Sequence, residues 1–166
     1  MKLRVTEYLT FSLIILLLGI SLFMLMSLLF SGINFSRTNE LKNINYGLGY
    51  AQKIMLNNML NFAQYFIFFL ISPFLIIIDL AITVYQIYIS IQIRGVSNTF
   101  SLLWAHAIFE IPNMLLYMCL SFKSLRVFLA SKKLHSLIDF WKENKKLYFL
   151  SLLLIIFASF IEGMVN

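Results

Sequence analysis

Long uncharged apolar runs alternate with short polar stretches along this chain. Tyr8 to Phe30 holds no charge over 23 residues, enough for a helix to cross a hydrocarbon core of about 30 Å. A basic N-terminus before such a run raises a secretory signal as an alternative. The run exceeds a signal's apolar region and no small-x-small cleavage site follows it, so a retained first span over 8–30 is expected. Ser31 to Lys53 is polar and carries Gly32, Gly47 and Gly49, which predicts a loop outside the membrane. Ile54 to Ile93 reads either as one long tilted helix or as a tight hairpin. Ser72-Pro73 lies near its middle, where proline disfavours helix in the preceding residue; splitting there gives spans over 54–72 and 73–93. After the turn Arg94 to Asn98 comes a run over 99–121, with Pro112 as an expected helix kink, and a last span covers 147–164.

Composition agrees with this pattern. Apolar residues make up 61% of the 166 positions and charged residues 12%. Soluble domains carry about 25% charge, and disordered chains are richer still in charge, so both classes are excluded. One cysteine, Cys119, excludes a disulfide scaffold. The fold class expected is an all-α membrane protein, one domain over 1–166, with the lipid bilayer as its first partner.

Charge placement bears on topology. The formal charge of +6 divides into +1 at the N-terminus (Lys2, Arg4, Glu7) and +5 between Phe122 and Lys146, with the remainder summing to zero. Five spans put both basic segments on one side, whereas four put them on opposite sides. The positive-inside bias favours five, with the N-terminus cytoplasmic and the C-terminus outside. Nucleic acid is not an expected partner. Within 122–145, Leu134, Leu137, Ile138 and Trp141 follow i, i+3, i+4, i+7 spacing. That stripe predicts an amphipathic helix on the cytoplasmic leaflet with Trp141 at headgroup depth, either an anchor or a docking surface for an ATPase.

The residues most informative for function are polar ones inside the runs, because an ionisable side chain at a span centre costs about 2.5–3.5 kcal/mol on insertion scales. His106, Glu110, Asn113 and Tyr117 lie at offsets 0, 4, 7 and 11, one face of a helix. Asp79, Thr83, Gln86 and Ser90 repeat those offsets in the preceding run, and Asn57, Asn61 and Gln64 begin a third seam. Ser159 and Glu162 are three apart in the last. Turning every seam inward leaves the first span most exposed to lipid. At 1.5 Å per residue, His106 would lie roughly 10 Å and Glu110 roughly 16 Å below the outer surface. His106, Glu110, Asn113 and Glu162 are therefore expected to form one intramembrane polar cluster, and Asp79, Thr83 and Gln86 a second stripe nearer the cytoplasm.

Three roles fit such a cluster: interhelical hydrogen bonding, a pathway for an ion or peptide, or a metal or catalytic centre. The last is disfavoured, because zinc needs at least three protein ligands and no second intramembrane histidine is present. Phosphate loops and nucleophile elbows are also absent from the sequence. No enzyme activity and no cofactor are expected.

Trp104-Ala105-His106-Ala107-Ile108-Phe109-Glu110-Ile111-Pro112 resembles the Pro-His-Gly-x-x-Glu-apolar-Pro signature of the stage II sporulation protein M family. Ala158 to Gly163 is similar to that family's closing Ala-x-apolar-apolar-Glu-Ala, and Asn57-Asn58 opens a pair of spans in the family's order. The resemblance covers Ile54 to Asn166. Here alanines flank His106 in place of proline and glycine, and the hairpin lacks the family's glycines. What the resemblance implies is a five-span, non-enzymatic membrane protein. Such a protein would serve as a scaffold organising cell-wall hydrolases, or sit beside an ABC ATPase in peptide export or bacteriocin self-immunity.

Overall fold

The computed structural model describes residues 2–33 and 47–165, without the side chains at 102, 105–107 and 162–165. The described residues are all helical, with no strand: α1 Val5–Leu29, α2 Leu48–Ile67, a 3₁₀ turn Phe69–Ile71, α3 Ser72–Arg94, α4 Val96–Ala107, α5 Glu110–Ser131, α6 Leu134–Glu143 and α7 Lys145–Val165. Three stretches are long and apolar enough to cross a membrane: Val5–Leu29, Phe69–Arg94 and Glu110–Ser131. A fourth arises if α6 and the first part of α7, bent by 61° at their junction, count as one.

The central helix is α5, which touches each of the other helices. It is the least apolar of the three stretches and 56% buried, against 11% for α1. That inverse relation is expected in lipid, where apolar side chains gain nothing from leaving the surface and polar or small ones gain by packing inside. Ser121, Ser124, Ser151 and Ser159 are accordingly buried. The hydroxyls of Ser124 and Ser159 donate to the carbonyls of Leu120 and Ile155 one turn back. Along α1, by contrast, Leu9, Leu13, Leu16, Leu17 and Ile20 are exposed. Its contact with α3 is made at Gly19, where an added Cβ would meet Leu80 at 3.4 Å and Val84 at 3.8 Å. Contacts from one turn of α1 spread far along α5: the Tyr8 hydroxyl donates to the Pro112 carbonyl, while Phe11 stacks on Phe122.

Several sequence expectations are corrected. The polar stretch to Lys53 is not all loop, since α2 begins at Leu48; the part over 34–46 lies outside the described residues. The break between the second and third runs falls at Phe68 to Ile71, and Pro73 sits in the first turn of α3, where a missing N–H costs nothing. The two helices do not form a tight hairpin: α2 packs chiefly on α7, and α3 on α1. The run over 99–121 is not one kinked helix but two, α4 and α5, interrupted at Ile108 and Phe109. Pro112 still explains the break, because it removes the amide that would bond the Ile108 carbonyl four residues back. Residues 122–131 are not part of the amphipathic helix; they complete α5.

The end of the bundle where α1 begins rests on a contact remote in sequence. Lys123 is buried, and its ammonium pairs with the Glu7 carboxylate and donates to the Lys2 carbonyl. Leu3 N–H donates to Asn144 Oδ1 (2.8 Å), while Asn144 Nδ2 donates to the Phe140 carbonyl (2.7 Å). This ties the start of α1 to the α6–α7 junction. On α6 the buried residues are Leu137 and Phe140, whereas Leu134 is exposed. Trp141 packs against the bundle: its indole donates to Ser124 Oγ (3.1 Å) and its ring lies 4.6 Å from that of Phe66.

At the far end of α3, Gly95 has φ 81° and ψ 165°, a region open essentially to glycine alone. It turns the chain so that Thr99 Oγ1 meets Ser90 Oγ at 3.1 Å and α4 packs back on α3. Gly95→Ala is expected to destabilise the protein by about 1–3 kcal/mol in a denaturation series. Val96→Ala, on an exposed side chain, should stay within about 0.5 kcal/mol.

Candidate functional site

Because α2 and α3 diverge from the turn that joins them, a cavity of about 550 Å³ opens between them, with α5 and α7 closing its other sides. The polar seams meet there. Asn57, Asn58 and Asn61 come from α2; Asp79, Thr83, Gln86 and Ser90 from α3; Glu110, Asn113 and Tyr117 from α5. Ile82, Ile87, Leu103, Met114, Ile155 and Ala158 supply apolar surface between them. Asp79 precedes Leu80, which packs on Gly19 near the midpoint of the 25-residue α1, so this part of the cavity is level with the middle of a membrane span.

Each wall is fixed by a hydrogen bond. Asn58 Nδ2 donates to Glu110 Oε1 at 2.6 Å, tying α2 to the first residue of α5. Glu110 thus stands at a helix N-terminus, where the unpaired amides and the helix dipole favour a carboxylate. Tyr65 reaches from α2 across the turn, and its hydroxyl donates to Asp79 Oδ2 at 2.9 Å. Tyr65 is itself almost wholly buried; its carbonyl accepts from Ser121 Oγ at 2.7 Å, and its ring lies 5.1 Å from that of Tyr117. Ser151 of α7 donates to Asn113 Oδ1 at 2.6 Å, with both side chains buried.

The electrostatic character follows from the lining. It contains two carboxylates and, among the described residues, no lysine or arginine. The other polar atoms are amide and hydroxyl groups, whose oxygens can turn toward a cation. Such oxygen-rich sets suit hard cations and ammonium groups better than soft metals. Among the described residues no three of His, Cys, Asp and Glu come close enough to hold a metal ion.

The structure brings Glu110 and Asn113 together with Asp79, Thr83 and Gln86 on one cavity, so the two stripes share one space. The side chains of His106, in the last turn of α4, and Glu162, near the end of α7, lie outside the described residues. Gln64 is exposed and does not line the cavity. The sequence pattern missed Asn58, Tyr65 and Ser151. The first two were accessible in principle: Asn58, Asn61 and Tyr65 at offsets 0, 3 and 7 mark a face one residue from the seam drawn through Asn57. Ser151 had no such signal, since an isolated serine in an apolar run shows no partner.

No curated protein and no solved structure matches the chain. The family model described as Stage II sporulation protein M matches residues 35–166, the whole chain beyond α1 and the few residues after it. With its apolar helices, the protein is a membrane protein, and that match shows that the chain belongs to the Stage II sporulation protein M family.

Proposed function

We propose that this protein is a non-enzymatic, multi-pass subunit of a larger complex in the bacterial cell membrane, whose central cavity receives a cationic segment of a partner or cargo. The observation that carries this reading is the pairing of Asp79 with Glu110 on one cavity whose described lining has no basic residue. Ionisable groups inside a membrane span are costly and mark functional sites by default. Two carboxylates on the wall of one cavity give it a negative potential that attracts a cation. A lysine or arginine side chain of a membrane peptide has the charge and the reach to fill such a space.

The topology proposed is five spans, with a cytoplasmic N-terminus and an outer C-terminus. What supports five is the length of α2, whose 20 residues reach about 30 Å, and the extent of its packing on α7. Too polar to face lipid all round, α2 can cross with its asparagines toward the cavity. In this arrangement α4 and the first part of α5 share one crossing, and the irregular backbone between them lies where Phe109 packs edge-on against Phe157 of α7 and Glu110 opens onto the cavity.

A cargo-handling role beside an ABC ATPase, in peptide export or self-immunity, uses the cavity directly. The second reading is a scaffold that holds cell-wall hydrolases, and it is favoured by the hydrogen bonds that Asn58, Tyr65 and Ser151 make within the bundle. Glu110→Gln separates them, because the amide oxygen can still accept from Asn58 while the charge is lost. For cargo handling, complementation of a deletion strain should fall about tenfold or more at unchanged protein abundance, a bond to a charged group being worth about 1.5–3 kcal/mol. Full complementation by Glu110→Gln would leave the scaffold role and remove the cavity from function.

A further inference from the structure

A second cleft, of about 880 Å³, lies at the other end of α5, between the first turns of α1 and the α6 helix. Its character changes with depth. Phe11 and Ile14 of α1 and Cys119 of α5 line one part; Arg126, Asp139 and Glu143 line another. Along α1, Ile14 is about 10 Å further into the bundle than Glu7. Glu143 adjoins Asn144, which bonds Leu3 at the base of α1, and Arg126 is one turn on from Lys123, which meets Glu7. The charged part therefore lies level with the start of the α1 span and the apolar part lies within it.

Charges in the cleft are of both signs. Lys123 is already committed to Glu7 and the Lys2 carbonyl. Arg126, in contrast, is exposed and makes no hydrogen bond or ion pair among the described residues. The Asp139 carboxylate is half exposed and, among the described residues, has only the His135 imidazole within ion-pair distance, at 3.4 Å. A guanidinium takes phosphate in a forked pair of hydrogen bonds, and a carboxylate takes a primary ammonium.

We infer that this cleft binds one phospholipid of the surrounding leaflet, with its phosphate on Arg126, its headgroup ammonium on Asp139 and an acyl chain against Phe11 and Ile14. The ligand is an ethanolamine phospholipid, not an anionic one. A glycerol headgroup would bring no positive charge to Asp139, which shares the lining. Inorganic phosphate would leave the apolar half unfilled. The site is separate from the polar cavity and does not depend on what that cavity binds.

The test is native mass spectrometry of the full chain released from micelles that contain phosphatidylethanolamine and phosphatidylglycerol with identical acyl chains at equal mole fraction. One retained phosphatidylethanolamine per chain is expected, preferred about tenfold over phosphatidylglycerol. Arg126→Gln should lower retention of both lipids about tenfold, and Asp139→Asn should remove the preference while leaving a lipid bound. Leu153→Ala, on the exposed face of α7, should change neither, and the melting midpoint of each variant reports that it is folded. Equal or greater retention of phosphatidylglycerol by the unmodified chain would overturn the proposal, as would unchanged retention in folded Arg126→Gln. Loss of all lipid from the unmodified chain under gentle activation would also overturn it.

Discussion

Tyr65→Ala is expected to destabilise the protein by about 3–5 kcal/mol, the usual cost of emptying a buried aromatic site. Tyr65 is only 1% exposed and joins three parts of the bundle: Asp79 of α3 through its hydroxyl, Ser121 of α5 through its carbonyl, and Tyr117 through its ring. Alanine keeps only the carbonyl contact. Tyr65→Phe is the informative companion, because it keeps the ring and removes the hydroxyl that donates to Asp79. Its cost should be about 1–3 kcal/mol, the penalty for leaving one polar group without its partner. Denaturant titration in micelles orders the three chains. Equal stability of Tyr65→Phe and the unmodified protein would mean that Asp79 takes its hydrogen bond from elsewhere.

The second large effect concerns α6. Read as an interfacial helix, it would be held by Leu134 as much as by any other residue of its apolar stripe. In the fold, Phe140 is fully buried against Leu120 and Val127, while Leu134 is 64% exposed. Phe140→Ala should therefore cost about 3–5 kcal/mol and Leu134→Ala less than about 0.5 kcal/mol. Comparable losses at both positions would restore the interfacial helix.

Periodicity made much of the site legible. Polar residues are few in these runs, and each unsatisfied one is expensive in lipid, so spacing of 0, 4, 7 and 11 on two helices identified Asp79, Thr83, Gln86, Glu110 and Asn113 as inward-facing. What spacing could not supply was register between helices. Asp79 and Glu110 seemed to belong to different depths because straight, complete spans were assumed. Interrupting the chain at Ile108 and Phe109 starts α5 on the same cavity as Asp79. The length of α5 was hidden for a related reason: Lys123 reads as a solvent-facing charge until Glu7, 116 positions away, is placed beside it. Trp141 likewise reads as an interface anchor until Ser124 and Phe66 are placed beside it.

The central claim is that the polar seams enclose a space inside the bundle that a cation can enter. Thr83→Cys, in a chain whose buried Cys119 is replaced by serine, places a thiol on the cavity wall. Ile77→Cys places one on the exposed, opposite side of α3. Treated in membranes with a small cationic thiol reagent, the Thr83→Cys chain should label readily and the Ile77→Cys chain should not. Labelling at position 77 with protection at position 83 would contradict the account.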